Sequence, residues 1–152
     1  MHLPTYLTLL SSAEQTLAGS CRQVAAGHAD ESDVRYTCED FARYCDAHAE
    51  ALAPIVNRYQ DRRQAEPDRL HPAGLASARS GPIGLLRDLQ DLYQLASLVE
   101  ITWSLIGQAA AGARDRDLLQ VVDRCGGETS TQIAWLRMRM KSAAPQTLLV
   151  AP

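Results

Sequence analysis

Apolar residues recur at alternating steps of four and three along most of this sequence. The first such series is Leu3, Leu7, Leu10, Glu14, Leu17, Cys21, Val24 and His28. Helical side chains three and four positions apart share one face, so this spacing indicates helices that pack against other helices. The strong helix formers Ala and Leu dominate, whereas β-branched residues are sparse and alternating apolar and polar runs are absent. The chain is therefore predicted to be all-α.

Helix start and stop signals divide the chain into four helices. Pro4 is a favoured first-turn residue and Gly27 a stop, Asp30 is an N-cap, the third helix opens at Gly81, and Pro145 cannot continue the fourth. The predicted helices span about 4–26, 31–60, 82–111 and 115–142, with a C-terminal tail at 145–152.

The connections between these helices differ in length. A few residues join helices 1 and 2, and again helices 3 and 4, so each pair is predicted to be an antiparallel hairpin. The polar segment at about 61–81 is much longer. Twenty extended residues span about 65 Å, and a helix of thirty residues is about 45 Å long. Residues 1–152 are therefore expected to form a single antiparallel four-helix bundle, with two hairpins joined by a crossover between helices 2 and 3.

Net charge and hydropathy limit the classes of binding partner that the sequence favours. The net charge of −3 gives no electrostatic reason to expect nucleic acid or an anionic membrane. From Leu92 to Gly112 the only charged residue is Glu100, over nearly the length of a membrane span. Interspersed Gln, Ser and Thr residues favour a helix buried on two sides instead, inside the bundle and against a partner in a homodimer.

The cysteines and the N-terminal sequence indicate the cellular compartment. No basic stretch followed by an apolar stretch begins the chain, so no secretory signal is recognised and a cytoplasmic location is expected. Four cysteines are then expected to be free thiols: Cys21, Cys38, Cys45 and Cys125. His28 is assigned to a favourable interaction with the helix dipole at the end of helix 1.

Each predicted helix carries one polar residue near the middle of its apolar stripe. These residues are Glu14, His48, Glu100 and Glu128, each within about one turn of its helix midpoint. A buried ionised carboxylate is costly without a partner, and three in one layer need protons or a cation. The four residues are therefore predicted to converge as metal ligands, with Cys45, one turn before His48, as an additional candidate.

This arrangement resembles the ferritin-like superfamily of carboxylate-bridged dimetal proteins. The crossover matches, and so does one inward carboxylate on helices 1 and 3, here Glu14 and Glu100. The family has Glu-x-x-His on helices 2 and 4. Here helix 2 has Cys45 at the Glu position, three residues before His48, and helix 4 has Glu128 but Thr131 at the His position. The resemblance implies iron, manganese or zinc and, for a redox-active metal, a small oxidoreductase. The half-complete motif means that the family's oxygen chemistry does not carry over.

Other interpretations remain open. A tryptophan, a tyrosine or His48 can satisfy Glu14 by hydrogen bonding. The alternative function is then a non-catalytic dimeric bundle that has lost the metal site and binds partners, as the apolar helix 3 and the apolar tail favour. A third possibility is a small organic ligand beside Gly107 and the pair Gly126 and Gly127, because glycines inside a helix indicate a kink or a close approach.

Overall fold

The computed structural model describes residues 1–62 and 73–152, and the described chain is all-helical. The four long helices are α1 (Leu3–Gly27), α2 (Ser32–Tyr59), α3 (Gly81–Ala113) and α4 (Arg116–Pro145). A single 3-10 turn, Gln60–Arg62, follows α2, and a short π-helix, Gln146–Val150, follows α4. No strand occurs in either described range. The all-α prediction with four helices is confirmed.

Local sequence explains several of the helix ends. Asp115 precedes α4, and its side chain accepts the backbone N–H of Leu118 at 3.1 Å. Pro4 and Pro82 occupy first-turn positions of α1 and α3, where a missing N–H is not needed. Pro145 does not stop the chain from coiling, because its φ of −61° suits a helix and the π-helix begins directly after it.

One hydrophobic core contains side chains from all four helices. Its largest fully buried apolar members are Trp103, Leu7, Leu10, Leu17, Leu52, Leu89, Leu92, Ile106, Leu118 and Leu136. Each fully buried side chain of this size contributes about 1.5–3 kcal/mol relative to an exposed one. None of the helices in the described ranges has an apolar stretch long enough to cross a membrane.

Of the predicted crossover at about 61–81, residues 61–62 and 73–81 are described, because 63–72 fall outside the described ranges. The part that begins at residue 73 packs along α1. The backbone N–H of Leu75 donates to Ser20 Oγ at 3.1 Å. A Cβ on Gly74 would approach Ser20 Oγ to 2.9 Å, so the segment lies too close to α1 there for a larger side chain.

A buried ion cluster joins the end of this segment to α1 and α3. Asp88 is fully buried and accepts hydrogen bonds from the Arg79 backbone N–H at 2.9 Å and its guanidinium at 2.6 Å. His28 Nε2 lies 2.8 Å from the same carboxylate. Burial raises the pKa of Asp88, but the hydrogen bonds from His28 and Arg79 outweigh it and hold the pKa below its usual value. The His28 side chain is thus hydrogen-bonded to Asp88, in addition to the interaction with the helix dipole that the sequence predicts.

Replacing Asp88 with Asn is expected to lower the free energy of unfolding by about 3 kcal/mol, because a fully buried carboxylate that is hydrogen-bonded to both His28 and Arg79 is lost. The melting temperature should fall by about 6–12 °C. The control is Asp46→Asn, which removes the partner of Arg22 in an exposed ion pair and should cost less than about 1 kcal/mol. Denaturant melts of both variants test this, and equal stabilities would contradict the structural role of Asp88.

Candidate functional site

Three of the four predicted ligands meet in the core. His48 of α2 lies between two carboxylates, with its Nδ1 atom 3.0 Å from Glu14 Oε1 of α1 and its Nε2 atom 2.7 Å from Glu128 Oε2 of α4. Trp103 of α3 donates its indole N–H to Glu14 Oε1 at 2.8 Å. Glu14, His48 and Glu128 are called the Glu–His–Glu layer below. Together with Trp103, the layer links all four helices.

Burial is graded across the layer. Glu14 is completely inaccessible and His48 is 1% exposed, whereas the side chain of Glu128 is 34% exposed. Glu14 occupies the apolar stripe of α1, so its charge is sealed among hydrophobic neighbours such as Leu10 and Leu17. The layer therefore reaches solvent at the Glu128 end and closes at the Glu14 end.

The layer contains its own cation. Burial lowers the pKa of His48, but hydrogen bonds to Glu14 and Glu128 and the charges of both outweigh burial and raise the pKa above its usual value. A neutral imidazole has one N–H, whereas the protonated ring has two and donates to both carboxylates. An imidazolium at His48 therefore supplies the counter-charge that the buried acids require.

Glu100, the fourth predicted ligand, lies apart from the layer's hydrogen bonds. It is half-buried, and its Oε1 atom accepts a hydrogen bond from Ser130 Oγ at 2.7 Å. Among the described hydrogen bonds, none joins Glu100 to Glu14, His48 or Glu128. The α3 position that reaches the layer is Trp103, one turn later.

Cys45, the additional candidate, is fully buried beside the layer. Its thiol donates a long hydrogen bond, 3.9 Å from Sγ to Gln132 Oε1. Burial and the nearby charge of Glu14 raise the pKa of Cys45 strongly, so the thiol stays protonated. Two buried atoms in this region have no hydrogen-bond partner, Glu14 Oε2 and Gln132 Nε2.

The other cysteines are similarly inert. All four are free and buried. Burial raises the pKa of Cys38 to about 12 and that of Cys125 to about 11, and it raises the pKa of Cys21 well above its usual value. A protonated, inaccessible thiol is a poor nucleophile and a poor metal ligand.

The residues in this arrangement do not fit a metal ion. The two ring nitrogens of an imidazole point away from each other, so Glu14 and Glu128 lie on opposite sides of His48. One ion cannot contact both carboxylates and the ring while these hydrogen bonds are made. In the two described ranges, no group of three or more His, Cys, Asp or Glu side chains is arranged to hold a metal.

The three glycines near which a ligand-binding gap is predicted have different surroundings. A Cβ on Gly107 would lie 3.0 Å from Val122 Cγ1, so Gly107 permits a close approach of α3 and α4. On Gly126 a Cβ would make only an ordinary contact with Trp103, and on Gly127 it would meet open space. Since α4 continues through both, neither a close approach nor a break explains this pair.

The heptad pattern did not single out Asp88, a polar residue of the core. Asp88 lies in the apolar pattern of α3 between Leu85 and Leu89. The available signal was the same as for Glu14, a polar residue at heptad spacing among buried positions.

No protein-family model matches the chain, and no curated protein or solved structure is significantly similar to it.

A double-mutant cycle on Glu14 and His48 is expected to show strong coupling. His48→Gln leaves the Glu14 carboxylate buried without a cation and should lower the free energy of unfolding by about 3–5 kcal/mol. The double variant Glu14→Gln with His48→Gln should lose clearly less than the sum of the two single losses, because no unpaired charge remains. Additive losses in denaturant melts would show that the two residues do not act as an ion pair.

Stability should also depend on pH through His48. Because its folded pKa lies above the unfolded value of about 6.5, its contribution is complete below that pH and is lost as pH rises through the folded pKa. By the same logic the buried thiols make the free energy of unfolding fall with pH only above about 8.5, so between about 6.5 and 8.5 the difference between the native protein and His48→Gln reports on His48. Over this pH range, the free energy of unfolding from denaturant melts should decline for the native protein and decline less for His48→Gln. A free energy of unfolding that rises with pH more steeply for the native protein than for the variant would contradict a protonated His48.

Proposed function

We propose that this protein is a non-catalytic helical bundle that acts by binding a protein partner, and that its Glu–His–Glu layer stabilises the fold. The observation that carries the proposal is the internal pairing of Glu14. Its buried charge is met by the His48 ring and the Trp103 indole, both from the same chain. A layer whose charges are already paired needs neither a metal nor a substrate to offset them.

The surface supports a binding role. From Gln94 to Ala113 the exposed positions of α3 carry no charged side chain, and the only charged residue in the range, Glu100, is half-buried. Three large apolar side chains on this face are substantially exposed: Leu98 at 37%, Ile101 at 53% and Leu105 at 50%. An apolar patch rimmed by polar residues is typical of a protein interaction site. The exposed positions between Gln94 and Ala113 are called the α3 face below.

A ferritin-like arrangement is part of the proposal. Contacts between α3 and α4 pair residues in opposite chain order, Glu100 with Ser130 and Gly107 with Val122. Contacts of α1 with α3 also run in opposite order, from Glu14 with Trp103 to His28 with Asp88. Such pairings favour antiparallel neighbours.

The helix directions also bear on the crossover. Asp33 of α2 bonds to Arg139 of α4, and Tyr59 at the other end of α2 bonds to Asp115, so these two helices also pair in opposite order. If α2 and α3 each run opposite to α4, they run in the same direction. A connection of bundle length between them is then required, which supports two hairpins joined by a crossover. The protein is accordingly proposed as an altered member of that superfamily.

The metal prediction of iron, manganese or zinc at Glu14, His48, Glu100 and Glu128 stays a prediction. One observation speaks for it, the buried Glu14 Oε2 atom without a hydrogen-bond partner. The opposed carboxylates on the two nitrogens of His48 speak against it.

Elemental analysis of protein purified without a histidine tag tests the proposal. Less than about a tenth of an equivalent of iron, manganese or zinc is expected, and a chelator should leave the melting temperature unchanged, because His48 and Trp103 already pair with Glu14 without a metal. The matched comparison is Glu128→Gln, which removes the accessible carboxylate of the layer. Stoichiometric metal in the native protein that is lost in this variant would overturn the non-catalytic assignment in favour of a metal centre.

A further inference from the structure

We propose that the α3 face binds the same face of a second copy of this chain, with the two α3 helices antiparallel about a two-fold axis at Ile101. The inference rests on the proposed function and names its partner. An isologous contact of this kind requires a surface that is complementary to itself after a half-turn. The residue pattern along α3 meets that requirement.

The exposed seam of α3 is nearly symmetric about Ile101. Leu98 lies three residues before it and Leu105 four residues after it, both exposed and apolar. Gln94 and Gln108 lie seven residues before and after, and both are exposed. Seven residues are about two helical turns, so all five side chains lie along one stripe of the helix. A half-turn about Ile101 therefore places apolar side chains on apolar ones and amides on amides.

The chemistry of these pairs favours a second copy over a charged partner. An amide both donates and accepts hydrogen bonds, so Gln94 can bond to Gln108 of the partner subunit in both directions. Ile101 meets Ile101 of the partner subunit at the axis, and Leu98 lies beside Leu105 of the partner subunit. With no charged side chain exposed on the face, self-pairing brings no like charges together.

Two shallow grooves widen the contact on either side of the axis. One lies between α3 and the segment 73–75, reaches Gln94 and Leu98, and has at its outer end Asp91, whose charge is paired with Arg79 and Arg87. The other lies between α3 and the start of α1, where Leu3 and Tyr6 face Leu105. Since these grooves lie before and after Ile101, the half-turn sets each of them opposite the other groove of the partner subunit.

The size of the face predicts a reversible dimer. Twenty helical residues are about 30 Å long and one helix is about 10 Å wide, so α3 alone covers on the order of 300 Å² of each copy. Including the flanking grooves brings the total for two copies to roughly 1,000 Å², at the lower end for specific interfaces. Because interfaces of this size are typical of transient complexes, we expect a reversible dimer with a dissociation constant in the micromolar range rather than an obligate dimer.

Sedimentation velocity of the full chain from about 1 to 200 µM tests self-association. The native protein should shift from monomer to dimer with rising concentration, and Ile101→Asp should stay monomeric because a charge would lie at the dry centre of the contact. The matched control is Met138→Asp on α4, since Met138 and Ile101 are equally exposed at 53%. A native protein that stays monomeric throughout, or an Ile101→Asp variant that still dimerises, would overturn the proposal. Circular dichroism verifies that each variant is folded.

Disulfide trapping tests the two-fold geometry. Ile101→Cys should cross-link to itself under a mild oxidant, because both copies of this position lie at the axis. Gln94→Cys should not cross-link to itself but should cross-link when mixed with Gln108→Cys. The native cysteines are all buried and give little background. Self-cross-linking of Gln94→Cys without the mixed product would instead indicate parallel helices and overturn the antiparallel geometry. None of these outcomes affects the result of the elemental analysis, so the proposed dimer contact and the proposed non-catalytic bundle without a metal can fail separately.

Discussion

The structure depends on one constraint, that a carboxylate removed from water must be paired with positive charge or hydrogen-bond donors. Glu14 meets it with the ring of His48 and the indole of Trp103, and His48 in turn meets Glu128. Each partner comes from a different helix. Satisfying one buried charge therefore ties together the middle of all four helices, and a shift of any helix by one turn would leave the charge unpaired.

The same constraint operates near the other levels of the molecule. Asp88 is sealed among His28 and Arg79 where α1 ends and α3 begins, while Asp115 at the start of α4 accepts from Tyr59 at 2.8 Å. Leucine-rich faces pack with similar energy in several registers, because hydrophobic burial is non-directional. Directional polar contacts at three levels discriminate between those registers. The polar core residues thus add specificity to a packing energy that the apolar residues supply.

How much of this the sequence reveals depends on the kind of signal. The all-α class follows from heptad spacing, and Glu14 stands out because it is a lone acid in a complete apolar stripe. The environment of Glu100 could not be read in the same way, because one residue of error rotates a side chain by about 100° around the helix axis. Glu100 and Trp103 are three residues apart, or about 60° around the helix axis, and even this smaller angle separates Glu100, against Ser130, from the inward direction that Trp103 takes. The identity of the counter-charge was equally hidden, because spacing places His48 near the acids but does not reveal that both ring nitrogens face carboxylates.

The burial of the Glu–His–Glu layer and the exposure of the α3 face both depend on the residue pattern of α3. Its inner side must be apolar to surround Glu14 and Trp103, and Ala96 and Val99 there are almost completely buried. A helix that only faced solvent on its other side would gain solubility from charges at the exposed positions. The α3 face lacks them over about five turns, while the exposed faces of α1, α2 and α4 carry ion pairs. The absence of charge is therefore local to one face rather than a property of the whole composition, as the proposed contact between two copies requires.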